Sequence, residues 1–483
     1  VEERSLPVRL VGGGIDAVEM MTLDRHPTTT GKVTFTVTPT GTTFRGYVLV
    51  YNELYSAMLQ AAEVTAAVVA AAGAIPEGPE LELRLVDAGS LVLSPLPTSA
   101  NLLATADGQL VGRTPGVSIP AATSAVIAET DGLVTGLVAA GSHHLDAGRS
   151  PAPTIRAAAR IGARLRTELG LDPLNDYDHI QMVSFSKQTV FPLDLVYGGP
   201  RPDADAEPCE QWKAALETAA RRQGPAEPCA GCEQRDEDAG RRVVCPLRFW
   251  GLSKVIEHQW PEGTPSGNWV ARVHRGCDDQ STTAITNILT GASALVMEET
   301  GAADAATALA SVSGAVPQGV TVAVAEDWTA WRNAVASGPA LLVALPHHDQ
   351  VMEDLIPKPA LEIGGEASVI EEYLVRPPDS RPGPLVLLLG CNTGIEHERV
   401  LSFASVFRSY SPVVVATVGE VIAQEAPVIA EHVVRELIAA ASDGRTVGEA
   451  VRDARRTLMA QDRPVALQLL LHGDSEWRIG QAG

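Results

Sequence analysis

From residue 280 onward, short unbroken apolar runs alternate with segments whose apolar residues recur at helical spacing. ASALVMEE (292–299) opens the series as an apolar run, and a helix is predicted over 302–313. GVTVAVAE (319–326) reads as a strand, and DWTAWRNAVASG (327–338) as a helix with Asp327 as cap and Gly338 as stop. PALLVAL (339–345) is the next strand, and Pro384 to Leu389 another, ending on Gly390 and Cys391. A helix near 400–409, the strand PVVVATV (412–418), helices across 423–441 and 446–460, and a strand VALQLLL (465–471) complete the pattern. Continuous Leu and Val runs mark strands buried on both faces. The prediction is an α/β fold: a mostly parallel sheet with helices on both faces.

Upstream, SPAPTIRAAARIGARLRTELG (150–170) reads as one amphipathic helix with a Ser150 cap, and a domain boundary is placed just before it. HIQMVSFS (179–186) and TVFPLDLVYGG (189–199) are expected as strands of the domain that follows, over 150–483. Residues 1–149 are expected to form an α+β module of unassigned role. Its strands are KVTFTVTP (32–39), TTFRGYVLVY (42–51) and ELELRLV (80–86), with a helix at 52–74. VGGGID (11–16) lacks the rest of a phosphate-loop motif and reads as a turn.

The formal net charge is −22, from 37 basic and 59 acidic side chains, which argues against a nucleic-acid surface as the main activity. Hydrophobic residues make up 45% of the chain, yet no segment has the length and freedom from charge of a membrane span. No stretch reads as a signal peptide, so the expected location is cytoplasmic, without a membrane partner. The chain opens on valine, which suggests a processed or partial product. Abundant Ala, Val, Arg and Gly suggest a high-GC bacterial source.

The six cysteines lie between 209 and 391, and Cys209, Cys229, Cys232 and Cys245 crowd a cysteine-rich insertion expected over 200–250, whose residues 201–243 are too polar to build a core. In a reducing compartment such a Cys-x2-Cys pair with two flanking cysteines reads as a structural Zn²⁺ site closed by four thiolates. The metal would then supply the ordering energy of the insertion. Disulfides or unrelated thiols are the other readings. A closed four-thiolate site would leave no position for a zinc-dependent hydrolase, and Cys277 is expected as an ordinary thiol.

Cys391 stands at the end of an apolar strand, and a nucleophilic cysteine needs a base. LLVALPHHD supplies one: that strand ends on Pro346, His347, His348 and Asp349, at a spacing from Cys391 that leaves room for one crossover. Neighbouring parallel strands would bring cysteine and histidine together at one sheet edge, where open α/β sheets hold their ligands. The other histidines, His143, His144, His258 and His397 among them, are expected as surface or capping residues.

Strand-histidine followed by strand-cysteine, GCNTG at 390–394, FPLDLVY (191–197), VVVATVGEVIAQEA (413–426) and the tail GRTVGEAVRDARRTLM (444–459) together resemble the CHAT domain, a bacterial branch of the caspase-like cysteine peptidases. The resemblance covers roughly 170–483. It implies a caspase-hemoglobinase fold and a Cys391–His347 dyad hydrolysing peptide bonds of a protein substrate, in a conflict, defence or regulated-proteolysis system. It also implies an oxyanion hole from the Cys391 amide and the histidine loop, with no cofactor needed for the chemical step. The family's histidine is usually followed by glycine, whereas His348 follows here, which leaves His348 as the alternative base. Asp194 and Asp349 are candidates for a substrate pocket, with Glu353 and Glu362, for cleavage after basic residues. The N-terminal module is then the place for an activating or sensor partner. The reading from a different class is an inactive caspase-like scaffold that binds partner proteins.

Overall fold

The computed structural model describes residues 4–12, 15–23, 33–35, 43–51, 58–67, 99–104, 110–112, 150–184, 192–222, 224, 226–233, 237–259, 262–263, 269–272, 282–353, 356–369, 383–390, 404, 407, 411–418, 421 and 423–480. Its centre is a ten-stranded sheet. In chain order the strands are β1 (Ser99–Ala104), β2 (Leu110–Gly112), β3 (His179–Ser184), β4 (Val255–Gln259), β5 (Asn287–Ala292), β6 (Thr321–Ala325), β7 (Leu341–Leu345), β8 (Leu385–Leu388), β9 (Val413–Thr417) and β10 (Leu469–Gly473). Across the sheet they run β6-β5-β7-β8-β9-β10-β4-β3-β1-β2.

The first five strands in that order are mutually parallel. β10 is antiparallel to β9, with Val414 opposite His472, and meets β4 through the single parallel pair His258–His472. β4, β3 and β1 continue in parallel, and β2 closes the edge antiparallel. Every residue of β7, β8 and β9 is buried, as their aliphatic runs demand.

Helix α1 (Ala152–Glu168) buries Ile155, Ala158, Ala159 and Ala163, and Ser150 Oγ accepts the Ala152 amide at 3.2 Å. Its Gly162 is forced by contact, since a β-carbon there would meet Leu195 O at 2.1 Å. Helix α2 (Trp212–Arg222) lies in the cysteine-rich segment. Helix α3 (Trp328–Val335) is capped by Asp327, whose Oδ1 accepts the Ala330 amide at 2.6 Å. Helices α4 (Ala426–Asp443) and α5 (Val447–Ala460) follow, α5 opened by a capping box of Thr446 and Glu449. Among the described residues no helix is long and apolar enough to cross a membrane.

Several sequence expectations are corrected. The predicted helix over 52–74 contains instead the strand Met58–Ala67, in a six-stranded antiparallel sheet with Thr43–Tyr51 on one side and Trp269–Arg272 on the other. Alanine-rich sequence favours helix locally, and main-chain pairing on both edges overrides that preference. The boundary before residue 150 does not separate the sheets: β1 and β2 belong to the central one, while Glu262–Gly263 and Trp269–Arg272 belong to the N-terminal one. TVFPLDLVYGG forms no strand among its described residues. Pro192 lacks an amide donor, and the chain turns through the 3-10 helix Leu193–Leu195.

The run at 292–299 is a helix, Ala294–Thr300, capped by Ser293 and closed by Gly301 at φ 66°. The strand lies just before it, as β5. The first half of VALQLLL is the 3-10 turn Pro464–Gln468. VGGGID joins two antiparallel strands with Gly12 opposite Ile15, as a turn should. The runs KVTFTVTP (beyond residues 33–35), ELELRLV and most of 400–409 lie outside the described residues.

Candidate functional site

Along the chain, β5 precedes β6 but lies between it and β7, so the direction of strand addition reverses between β5 and β7. Open α/β sheets hold their ligands at such a reversal, at the carboxyl ends of the strands. β7 and β8 are hydrogen-bonded neighbours, with Leu341 opposite Leu385 and Ala344 opposite Leu388. The Leu389 amide extends the ladder to Ala344 O at 2.9 Å. Both strands therefore deliver their next residues to one edge: Pro346 and His347 from β7, Leu389 and Gly390 from β8. Thr417 Oγ1, at the end of β9, donates to Gly390 O at 3.4 Å. Cys391 is the next residue in sequence and lies outside the described residues, as does Cys277.

His347 is half-buried. Its Nδ1 is buried without a hydrogen-bond partner among the described residues, which leaves a ring nitrogen uncommitted at the strand end. The residue opens a three-stranded antiparallel sheet, His347–Glu353 with Ile356–Ile363 and then Glu366–Val369. His347 stands opposite Glu362, His348 opposite Leu361, and Asp349 opposite Ala360, with Glu353 at the hairpin turn opposite Ile356.

Gly364, at the tip of the second hairpin, has φ 63°, and a β-carbon there would meet Glu326 O at 1.6 Å. Gly364→Ala is expected to destabilise the chain by about 2–4 kcal/mol, read as a lower urea midpoint. An unchanged midpoint would show that the hairpin can re-seat.

Asp194 is wholly buried. Its carboxylate lies 2.9 Å from His258 Nε2 and 2.7 Å from Arg455 Nη2. His258, expected at the surface, is a buried strand residue of β4, its ring centroid 5.7 Å from that of His472 and tilted to it by 55°. Arg455 is fully buried, and burial pushes its pKa down while Asp194 opposes that shift. Asp194→Asn would strand a buried guanidinium, at a cost of about 3–5 kcal/mol in denaturant unfolding. A loss below about 1 kcal/mol would show the pair to be dispensable.

The tail motif owes its composition to the same network. Arg456 Nη1 bonds Ala219 O at 3.1 Å, Gly224 O at 3.0 Å and Asp453 at 2.8 Å, while its Nε bonds Leu252 O at 2.7 Å. Arg455 Nη2 reaches Leu469 O of β10 at 2.5 Å. Sequence reading missed this core: the only signal was an amphipathic helix with arginines where apolar residues should stand.

The four clustered cysteines of the sequence come together. Their sulfurs lie within 4.8 Å of one another and all four are buried. Cys229 Sγ is 3.5 Å from both Cys209 Sγ and Cys245 Sγ. A disulfide needs about 2.05 Å, and none of the four forms one. Sulfurs around tetrahedral zinc at ~2.3 Å would stand ~3.8 Å apart, close to the spacing found. Hydrogen bonds from Cys209 and Cys245 lower the Cys229 thiol to about 4, while its own bond to Cys229 raises Cys209. The Cys245 amide donates to Tyr197 Oη at 3.1 Å, and Arg248 Nη2 donates to Cys232 O at 2.9 Å. The donor set is soft, closed and compatible with one metal ion.

No protein-family model matches the sequence. No curated protein matches it either. Among solved structures, the Arg-specific cysteine proteinase gingipain R is similar over 67% of this chain and 68% of its own, at 10% identity and a TM-score of 0.36. The Saccharomyces cerevisiae separase–securin complex is similar over 48% of this chain at 11% identity and a TM-score of 0.28, so this chain spans only 14% of that one. Likenesses at this level assign neither a family nor an activity.

Proposed function

We propose that the chain is a caspase-like cysteine endopeptidase acting on a protein substrate, with Cys391 as nucleophile and His347 as its base. The observation that carries the proposal is the adjacency of β7 and β8, two parallel strands in register whose next residues are the histidine segment and the Gly390–Cys391 segment. In the reaction, an imidazole nitrogen of His347 takes the thiol proton and the thiolate attacks the scissile carbonyl. The histidine then returns the proton to the leaving amine, and a water hydrolyses the thioester. Main-chain amides at the carboxyl end of β8 are the source of oxyanion stabilisation.

Asp194 is committed to His258 and Arg455 within the core, so it supports this reading as a structural residue and not as a pocket floor. The four cysteines of the insertion are proposed to hold one structural Zn²⁺ by their thiolates, apart from the chemical step. An activating partner for the N-terminal sheet is part of the same proposal.

The test is incubation of the full chain with a mixed fluorogenic peptide panel, beside Cys391→Ala. Cleavage lost in the variant supports the peptidase. Silence of the wild type together with a Cys391 that alkylates like a free thiol would favour the inactive scaffold.

A further inference from the structure

We infer that Glu362 is the positioning residue for His347, an inference that rests on the dyad reading above. Glu362 was a sequence candidate for a pocket that recognises basic side chains, but its carboxylate is otherwise engaged. One oxygen, Oε1, accepts the Ala294 amide at 2.9 Å and the Gly365 amide at 2.8 Å. Those two amides belong to different segments: Ala294 opens the helix that follows β5, and Gly365 lies at a hairpin tip. Through its own main chain Glu362 stands opposite His347. A single carboxylate thus ties together the end of β5, the hairpin and the histidine strand.

Three main-chain and side-chain bonds fix the same assembly from outside. The Ser293 amide donates to Leu345 O at 2.9 Å and the Gly364 amide to Ala292 O at 3.0 Å. Trp328 Nε1 donates to Leu361 O at 2.8 Å. These bonds allow the fold to survive without Glu362, while the hairpin carrying His347 loses its charge-assisted anchor. A base must stand within hydrogen-bond reach of its thiol, and displacement of about 1 Å can cost on the order of a hundredfold in rate.

The experiment needs no substrate. Alkylation of Cys391 by iodoacetamide is followed by peptide mass spectrometry across pH 5–10 in the full-length wild type, Glu362→Ala, Glu362→Gln and His347→Ala. A histidine-paired thiol reacts as thiolate well below the midpoint of a free thiol, which is near ~8.5. Glu362→Ala is expected to move the midpoint upward, toward that of His347→Ala, and to slow alkylation at pH 6.5 by about tenfold. Glu362→Gln keeps an oxygen acceptor without the charge, so a partial loss of about threefold is expected.

If Glu362→Ala superimposes on wild type while His347→Ala does not, the positioning role is overturned and the dyad stands. If wild type and His347→Ala coincide, the dyad fails, and the inference with it. Should circular dichroism show Glu362→Ala unfolded, Glu362→Gln decides, and its coincidence with wild type overturns the inference.

Discussion

His347→Ala is expected to lower kcat for peptide cleavage by about a thousandfold or more while leaving KM within about threefold, and Cys391→Ala to remove turnover altogether. The reason is the division of labour at the edge of β7 and β8. Without the imidazole the thiol must ionise alone, and the leaving amine has no acid.

The same assay decides between the two histidines. Side chains of adjacent strand residues point to opposite faces, and the reading above makes His347 the base. His348→Ala is therefore expected to lose less than about tenfold. The reverse ranking, measured on any cleaved peptide, would move the base to His348 and undo the assignment drawn from the uncommitted Nδ1 of His347.

The second large effect concerns the four-cysteine cluster. One zinc per chain is expected by elemental analysis of protein purified without chelator, falling to zero in Cys229→Ser with Cys232→Ser. Four-thiolate zinc sites contribute about 10–16 kcal/mol of apparent binding energy at neutral pH, and that energy is folding energy for a segment with little core of its own. Chelation should lower the melting temperature by more than about 10 °C and expose the insertion to protease between 200 and 250. Because Arg456 reaches Ala219 and Gly224 in that insertion, the loss is expected to spread into α5. A chain that purifies metal-free and melts unchanged by chelator would refute the zinc site, leaving four reduced buried thiols.

The parallel strands were legible because their runs are aliphatic on both faces, which few other settings permit. LLVAL and LVLL announce themselves, and their neighbourhood follows from a one-crossover spacing. The strand Met58–Ala67 was not legible, since an alanine-rich stretch carries no β signal until its partners are known. Asp194 was misread for a related reason. It was named only for lying in a segment that flanks the proposed site, and the cations that claim it, Arg455 and His258, are remote in sequence. The cysteine cluster was legible from the Cys-x2-Cys spacing and the polarity of its surroundings, because a closed metal site needs little besides four sulfurs. Glu362 was visible as an acid near the site, but its engagement by two main-chain amides was not.

The place of β10 in the central sheet bears on how the chain is made. Residues 469–473 leave the ribosome after every other strand of that sheet, yet they sit between β9 and β4, in its interior. Until they arrive, the β9 and β4 edges present unsatisfied main-chain groups to one another and to other chains. Completion of the sheet therefore waits on contacts of very long sequence separation, with correspondingly slow closure. A chaperone that shields strand edges is expected to have its greatest effect before β10 docks.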